Sequence, residues 1–177
     1  GWVTTFSEYS IVSENRVTRV PPDFDPEAGA LFGCAVTTAM GVLNNNAKLG
    51  IGESIAVFGT GGVGLNIIQF AAKIAAHPII GIDLHDHKLD LARQLGATHT
   101  LNSRSGDVRE EIRKIVGPAG VDVAIENTGV TARVTEAIHE FGTGEPTAHT
   151  AVQSFLDAYA KSEVGGNAVD WDELETA

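Results

Sequence analysis

Ten residues, Ile55 to Gly64, constrain the fold of this chain more than any others. The apolar run Ile55-Ala56-Val57-Phe58 meets the glycine-rich Gly59-Thr60-Gly61-Gly62-Val63-Gly64, and a helical pattern of apolar residues begins at Val63. Gly59, Gly61 and Gly64 fit G-x-G-x-x-G. Such spacing lets the backbone turn tightly, approach a pyrophosphate, and pack helix against strand. A plain strand-to-helix turn would carry glycines too, so the motif needs its context: a strand before, a helix after, and an acid about 20 residues on. Ser54 to Phe58 reads as the strand and Val63 to Ala76 as the helix. Asp83 closes the next apolar run, Pro78 to Ile82. All three conditions are met, and the stretch reads as a dinucleotide site.

The rest of the chain repeats that unit. Val63, Ile67, Phe70, Ala71 and Ile74 recur at helical spacing and predict the face that packs on a sheet. Strand Pro78 to Asp83, helix His87 to Leu95 ended by Gly96, short strand Thr98 to Leu101, helix Asp107 to Val116 and strand Val121 to Glu126 follow. Thr131 to Glu140 reads as another helix. Strands alternating with helices imply parallel pairing through right-handed crossovers. The expected fold is α/β, a doubly wound parallel sheet that is Rossmann-like but incomplete, preceded by a short extended segment.

Ahead of this unit, residues 1–22 read as extended chain with two short strands ending at Pro21-Pro22. Asp25 suits a helix cap and Pro26 the first helical turn. That helix should be short, with Gly33-Cys34 breaking it before a second helix from Thr38 to Asn45. Residues 23–140 form the expected Rossmann-like domain. In residues 141–177, Phe141 to Pro146 is loop chemistry, one helix is expected from Thr147 to Lys161, and an acidic end follows. Eight of the 23 acids fall between Glu140 and the C-terminus, against the single base Lys161.

Charge and cysteine content then exclude several partners. A formal charge of −11 is the wrong sign for a nucleic-acid backbone. No apolar run in the sequence reads as a membrane span, and the single cysteine, unable to form an internal disulfide, fits a cytoplasmic chain. His85-Asp86-His87 reads as a solvated turn rather than a metal site, because neighbouring side chains of an extended turn point apart. His77, His99, His139 and His149 are isolated, and no serine or cysteine has a histidine spaced for nucleophilic catalysis.

Asp83 is the most informative polar residue. A carboxylate at the end of the second strand accepts bonds from the adenosine ribose hydroxyls and opposes a phosphate in their place, which favours NAD over NADP. Lys88 lies one turn into the following helix, and on its own reads as a solvated lysine.

Five segments, Gly33-Cys34-Ala35-Val36-Thr37-Thr38, Val57 to Gly64, Gly81-Ile82-Asp83, Leu95-Gly96-Ala97-Thr98 and Glu126-Asn127-Thr128-Gly129, closely resemble the zinc-type, medium-chain alcohol dehydrogenase family in order and spacing. The resemblance covers roughly residues 3–140. It implies that Gly59, Thr60, Gly61, Gly62, Val63 and Gly64 hold the pyrophosphate of NAD and that Asp83 and Lys88 hold the ribose. It also puts Thr38, with a catalytic role, and Asn127-Thr128 along the nicotinamide side. Cys34 matches one ligand of the family's catalytic zinc. A catalytic zinc needs about three protein ligands, so zinc is expected only with ligands supplied from outside this chain, and Cys34 otherwise as a buried free thiol.

The family's amino-terminal zinc-bearing domain and its last two sheet strands have no match here. The strand Val121 to Glu126 is thereby expected at an edge covered by the tail, by a second copy in a homo-oligomer, or by a missing partner domain. The implied activity is hydride transfer between an alcohol or aldehyde and NAD, with the isolated chain limited to binding. Two rival readings are a non-catalytic NAD-binding subunit and an interaction domain whose nucleotide site is empty.

Overall fold

The computed structural model describes residues 8–129. Four parallel strands, β1 (Ile55–Phe58), β2 (Ile79–Asp83), β3 (His99–Asn102) and β4 (Val123–Glu126), form one sheet in the order β3-β2-β1-β4. Phe58 aligns with Ile82 on one side and with Glu126 on the other, and Asp83 aligns with Asn102. The connection after β1 leads to one side of it, and the chain returns on the other side as β4. This reversal opens a crevice beyond the carboxyl ends of the strands.

Helices cover both faces, which is why β1 is an unbroken apolar run rather than an alternating one. Ile55 and Val57 pack on one face with Ile67, Ile68 and Ala71 of α2 (Gly62–Ile74) and with Ala39, Leu43 and Ala47 of α1 (Pro26–Ala47). Ala56 and Phe58 point to the other face. There they meet Ile80 and Ile82 of β2 and Val108 and Ile112 of α4 (Val108–Val116). Each of Ile67, Ile68 and Ile112 is fully buried and contributes about 2 kcal/mol of apolar transfer. The helix α3 (Asp86–Gln94) adds Leu89 and Ala92 to the buried set.

The far end of the sheet is tied by a reciprocal bond set. Ser54 donates its backbone N–H (2.8 Å) and its hydroxyl (2.6 Å) to the Asp122 carboxylate, and the Asp122 N–H donates to the Ser54 hydroxyl oxygen (2.8 Å). This tie fixes β1 and β4 in register below the crevice.

Every element expected between residues 54 and 126 is present, shifted by at most two residues. Five expectations need correction, four of them ahead of residue 54 and one at His85-Asp86-His87. Residues 8–20 form no strand: they are exposed, with one 3-10 turn at Glu14–Arg16, and β-branched residues without a partner strand have nothing to pair with. Asp25 does cap the first helix, its carboxylate accepting from the Glu27 N–H at 2.9 Å.

That helix does not break at Gly33-Cys34, however. It runs on as α1 to Ala47, absorbing the irregularity in π-type turns at Phe32–Val36 and Val42–Ala47, with the Thr37 hydroxyl bonded back to the Phe32 carbonyl at 2.5 Å. Its continuity also corrects the hydropathy reading. The helix α1 is 22 residues long and its most apolar 18-residue window has a mean hydropathy of 1.3, sufficient by length and composition alone to cross a membrane, although Ala39, Leu43 and Ala47 place it on the sheet.

Cys34 is an exposed free thiol rather than a buried one, because it lies on the face of α1 turned away from that core, beside exposed Leu31 and Phe32. His85-Asp86-His87 is likewise not an extended turn. His85 occupies the N-cap position of α3 without a side-chain capping bond, and the other two residues open its first turn, bringing the imidazoles to a centroid separation of 5.6 Å. The helices expected at Thr131 to Glu140 and Thr147 to Lys161, and the acidic tail, lie outside the described residues.

Candidate functional site

The crevice at the carboxyl ends of β1, β2 and β4 has a volume of about 460 Å³, within the roughly 300–1,000 Å³ of small-molecule sites. Its floor is the end of β1, Phe58, with Gly59 and Gly61 of the turn. One wall is the end of β2, Ile82 to His85, with Lys88 and Ser103. The opposite wall is Asn127 and Thr128 after β4.

The three motif glycines are required for different physical reasons. Gly59 has φ +89°, the left-handed region, and a β-carbon there would lie 3.0 Å from the Thr128 methyl. A β-carbon on Gly64 would lie 1.9 Å from the Gly59 carbonyl oxygen, so the helix start and the turn touch backbone to backbone. Around Gly61, its own chain neighbours aside, no heavy atom of the described residues comes within 4 Å of that position. Its empty space faces the crevice. Gly61 precedes the first turn of α2, whose N–H groups and dipole favour a negative charge.

Thr60, by contrast, is fully buried and serves the architecture. Its N–H (2.9 Å) and hydroxyl (3.1 Å) donate to one Asp83 oxygen, while the N–H groups of Leu84 (2.8 Å) and His85 (3.1 Å) donate to the other. The Lys88 ammonium stands 3.9 Å from the first oxygen, and the Asp83 side chain is 8% exposed. Burial raises the carboxyl's pKa. The Thr60 and His85 N–H groups, the Thr60 hydroxyl and the Lys88 charge together outweigh that, and the net position is below the usual carboxylate value. Asp83 is therefore ionised at neutral pH and joins the glycine turn to the end of β2.

Of the residues expected at the site, Gly59, Gly61, Asp83, Lys88, Asn127 and Thr128 line this crevice. Thr60 and Gly64 lie beneath it. Gly62 and Val63 open α2 but do not line it, and Thr38 and Cys34, exposed on α1, are not among its lining residues either. The sequence reading missed Leu84, an apolar side chain 43% exposed directly after the acid, and the buried Glu126. An apolar residue following a strand-ending acid was a legible signal for the first. Glu126 stood in the Glu126-Asn127-Thr128-Gly129 segment of the resemblance, but nothing in the sequence gave it a role at the site. The Asn127 amide nitrogen is buried and has no acceptor among the described residues, so the wall holds a donor for which a ligand would provide the partner.

For zinc the donors do not suffice. Among the described residues no three His, Cys, Asp or Glu side chains are grouped to hold a metal, and Cys34 alone is not a binding set.

A parallel sheet reversing direction at a glycine turn, with an acid at the end of the second strand, defines a Rossmann-like nucleotide-site domain. Comparison with known proteins narrows the class. Residues 62–144 match the family described as zinc-binding dehydrogenase. The S-(hydroxymethyl)glutathione dehydrogenase of Synechocystis sp. is 41% identical over 128 residues, 71% of this chain and 34% of that protein. Its counterpart in Haemophilus influenzae is 38% identical over 140 residues, 77% of this chain and 37% of that protein. The crystal structure of benzyl alcohol dehydrogenase from Acinetobacter calcoaceticus superposes with a TM-score of 0.73 at 32% identity, over 77% of this chain and 37% of that one. Over the stretch these likenesses share, the chain resembles the zinc-type alcohol dehydrogenases. It spans about a third of the length of the curated relatives it matches.

Proposed function

We propose that this chain is the NAD-binding portion of an oxidoreductase that moves a hydride between an alcohol and NAD in the cytoplasm, with residues 23–140 as the coenzyme domain. The observation that carries this is the pairing, in one crevice, of the open space at Gly61 with the ionised Asp83. In this reading the N–H groups at the start of α2 meet the pyrophosphate, and Asp83 and Lys88 hold the adenosine ribose. The walls formed by Leu84 and by Asn127-Thr128 restrict what lies between them. When bound, the nicotinamide supplies the hydride acceptor or donor. The residues of this chain orient it and offer backbone N–H groups to its phosphates.

Thr38 is retained as a candidate for handling the substrate hydroxyl, on the strength of the family resemblance. No step is assigned through zinc, since Cys34 supplies one donor and the remaining ligands would come from outside this chain. The substrate is a small alcohol or aldehyde in this reading.

Coenzyme choice tests the proposal. A ribose 2′-phosphate placed about 4 Å from the Asp83 carboxylate meets a repulsion of about 4 kcal/mol at an effective dielectric near 20. Titration should show NADH binding at least a hundredfold tighter than NADPH, and equal affinities would contradict the assignment of Asp83.

A second proposal concerns β4, which stands at the edge of the described sheet with all four of its residues buried. A homo-oligomer contact or a further domain covers this edge in our reading. Amides of Val123–Glu126 should then exchange slowly in the assembled protein, and fast exchange there would argue against it.

A further inference from the structure

The last residue of β4 places an acid where the fold has no packing use for one. Glu126 is 5% exposed, on a strand otherwise made of Val123, Ala124 and Ile125. Its two carboxylate oxygens divide the next turn between them. One accepts the Thr128 N–H at 2.5 Å and also the Thr128 hydroxyl, and the other accepts the Gly129 N–H at 3.2 Å. The turn held in this way is the crevice wall, and its Thr128 methyl and backbone pack against Gly59, where a β-carbon would find them at 3.0 and 3.4 Å. The wall and the glycine turn therefore share one position, and the carboxylate of Glu126 sets it.

We propose that Glu126 is a positioning residue for coenzyme binding, acting through Thr128 on the width of the crevice and on the Gly59 turn; this rests on the NAD-binding reading above. The chemistry requires an acid. Three donors converge on it, and a carboxylate accepts at both oxygens, whereas an amide accepts at only one. A glutamine here must turn its NH₂ toward Gly129 N–H or toward both Thr128 donors. Either orientation releases one end of the wall, and a released wall no longer presents Thr128 and Asn127 at a fixed distance from the glycine turn.

The experiment is a fluorescence titration of the intact chain with NADH, for the wild type, Glu126→Gln, Thr128→Val and the double variant. Thr128→Val keeps the methyl that faces Gly59 and loses the hydroxyl bond to Glu126, so it tests the contact even where Glu126→Gln does not fold. We expect the dissociation constant to rise about tenfold in Glu126→Gln and about threefold in Thr128→Val, with the number of sites unchanged. The double variant should bind no more than twofold more weakly than Glu126→Gln, because both changes release the same turn. Unchanged dissociation constants would overturn the proposal. So would multiplicative losses, or fewer sites of wild-type affinity, since the last is what loss of folded protein alone produces. A wild type that binds no NADH would overturn the NAD-binding reading itself, a result distinct from variants that bind as the wild type does.

Discussion

Substituting Gly64 by alanine should cost about 3 kcal/mol of folding stability, at the upper end of what one added carbon costs in a filled space. The added carbon would lie 1.9 Å from the Gly59 carbonyl oxygen, and both partners are backbone, fixed by β1 on one side and by α2 on the other. No side chain can rotate away. Relief requires the helix to move off the strand end, which would loosen Ile67, Ile68 and Ala71 from Ile55 and Val57. Against a typical total stability of about 5–15 kcal/mol, the loss is large. Denaturant unfolding should show a much lower midpoint for Gly64→Ala with coenzyme absent. An unchanged midpoint would mean that the contact between turn and helix is not as close as described.

Substituting Gly61 by valine should do the opposite, leaving the fold intact and abolishing binding. Gly61 has φ −80°, which any residue adopts, and its side-chain position is open among the described residues. The unfolding midpoint should therefore stay close to that of the wild type. The valine methyls, however, would occupy the space through which a pyrophosphate approaches the start of α2, and NADH affinity should fall at least a hundredfold. Two glycines three residues apart in one motif thus separate experimentally. One is needed to fold and the other to bind.

How much of this the sequence disclosed depends on where the information is local. Between Ser54 and Glu126, strand and helix follow from apolar runs, helical spacing and caps, and their order along the chain was legible. Asp83 was legible as an acid at a strand end. Its bonds to Thr60 were not, because they depend on the turn and the strand end meeting across the sheet.

The role of Glu126 escaped for a related reason, since its partners Thr128 and Gly129 are local but the consequence lies across the crevice at Gly59. The continuity of α1 escaped because a glycine beside a cysteine is read as a break, while π-type turns carry the helix through it. Exposure of Cys34 was beyond reach altogether. Burial is decided by what packs on that face of α1, and sequence spacing around a single cysteine does not report it.

The most direct test of the central claim, that the Gly59–Gly64 turn and Asp83 form a working NAD site in this chain, is calorimetric titration of the purified chain with NADH beside Gly61→Val. The account predicts saturable binding at one site per chain for the wild type and no measurable saturation for Gly61→Val, with both chains folded. A folded wild type that shows no saturable binding, or a Gly61→Val chain that binds as the wild type does, would contradict it.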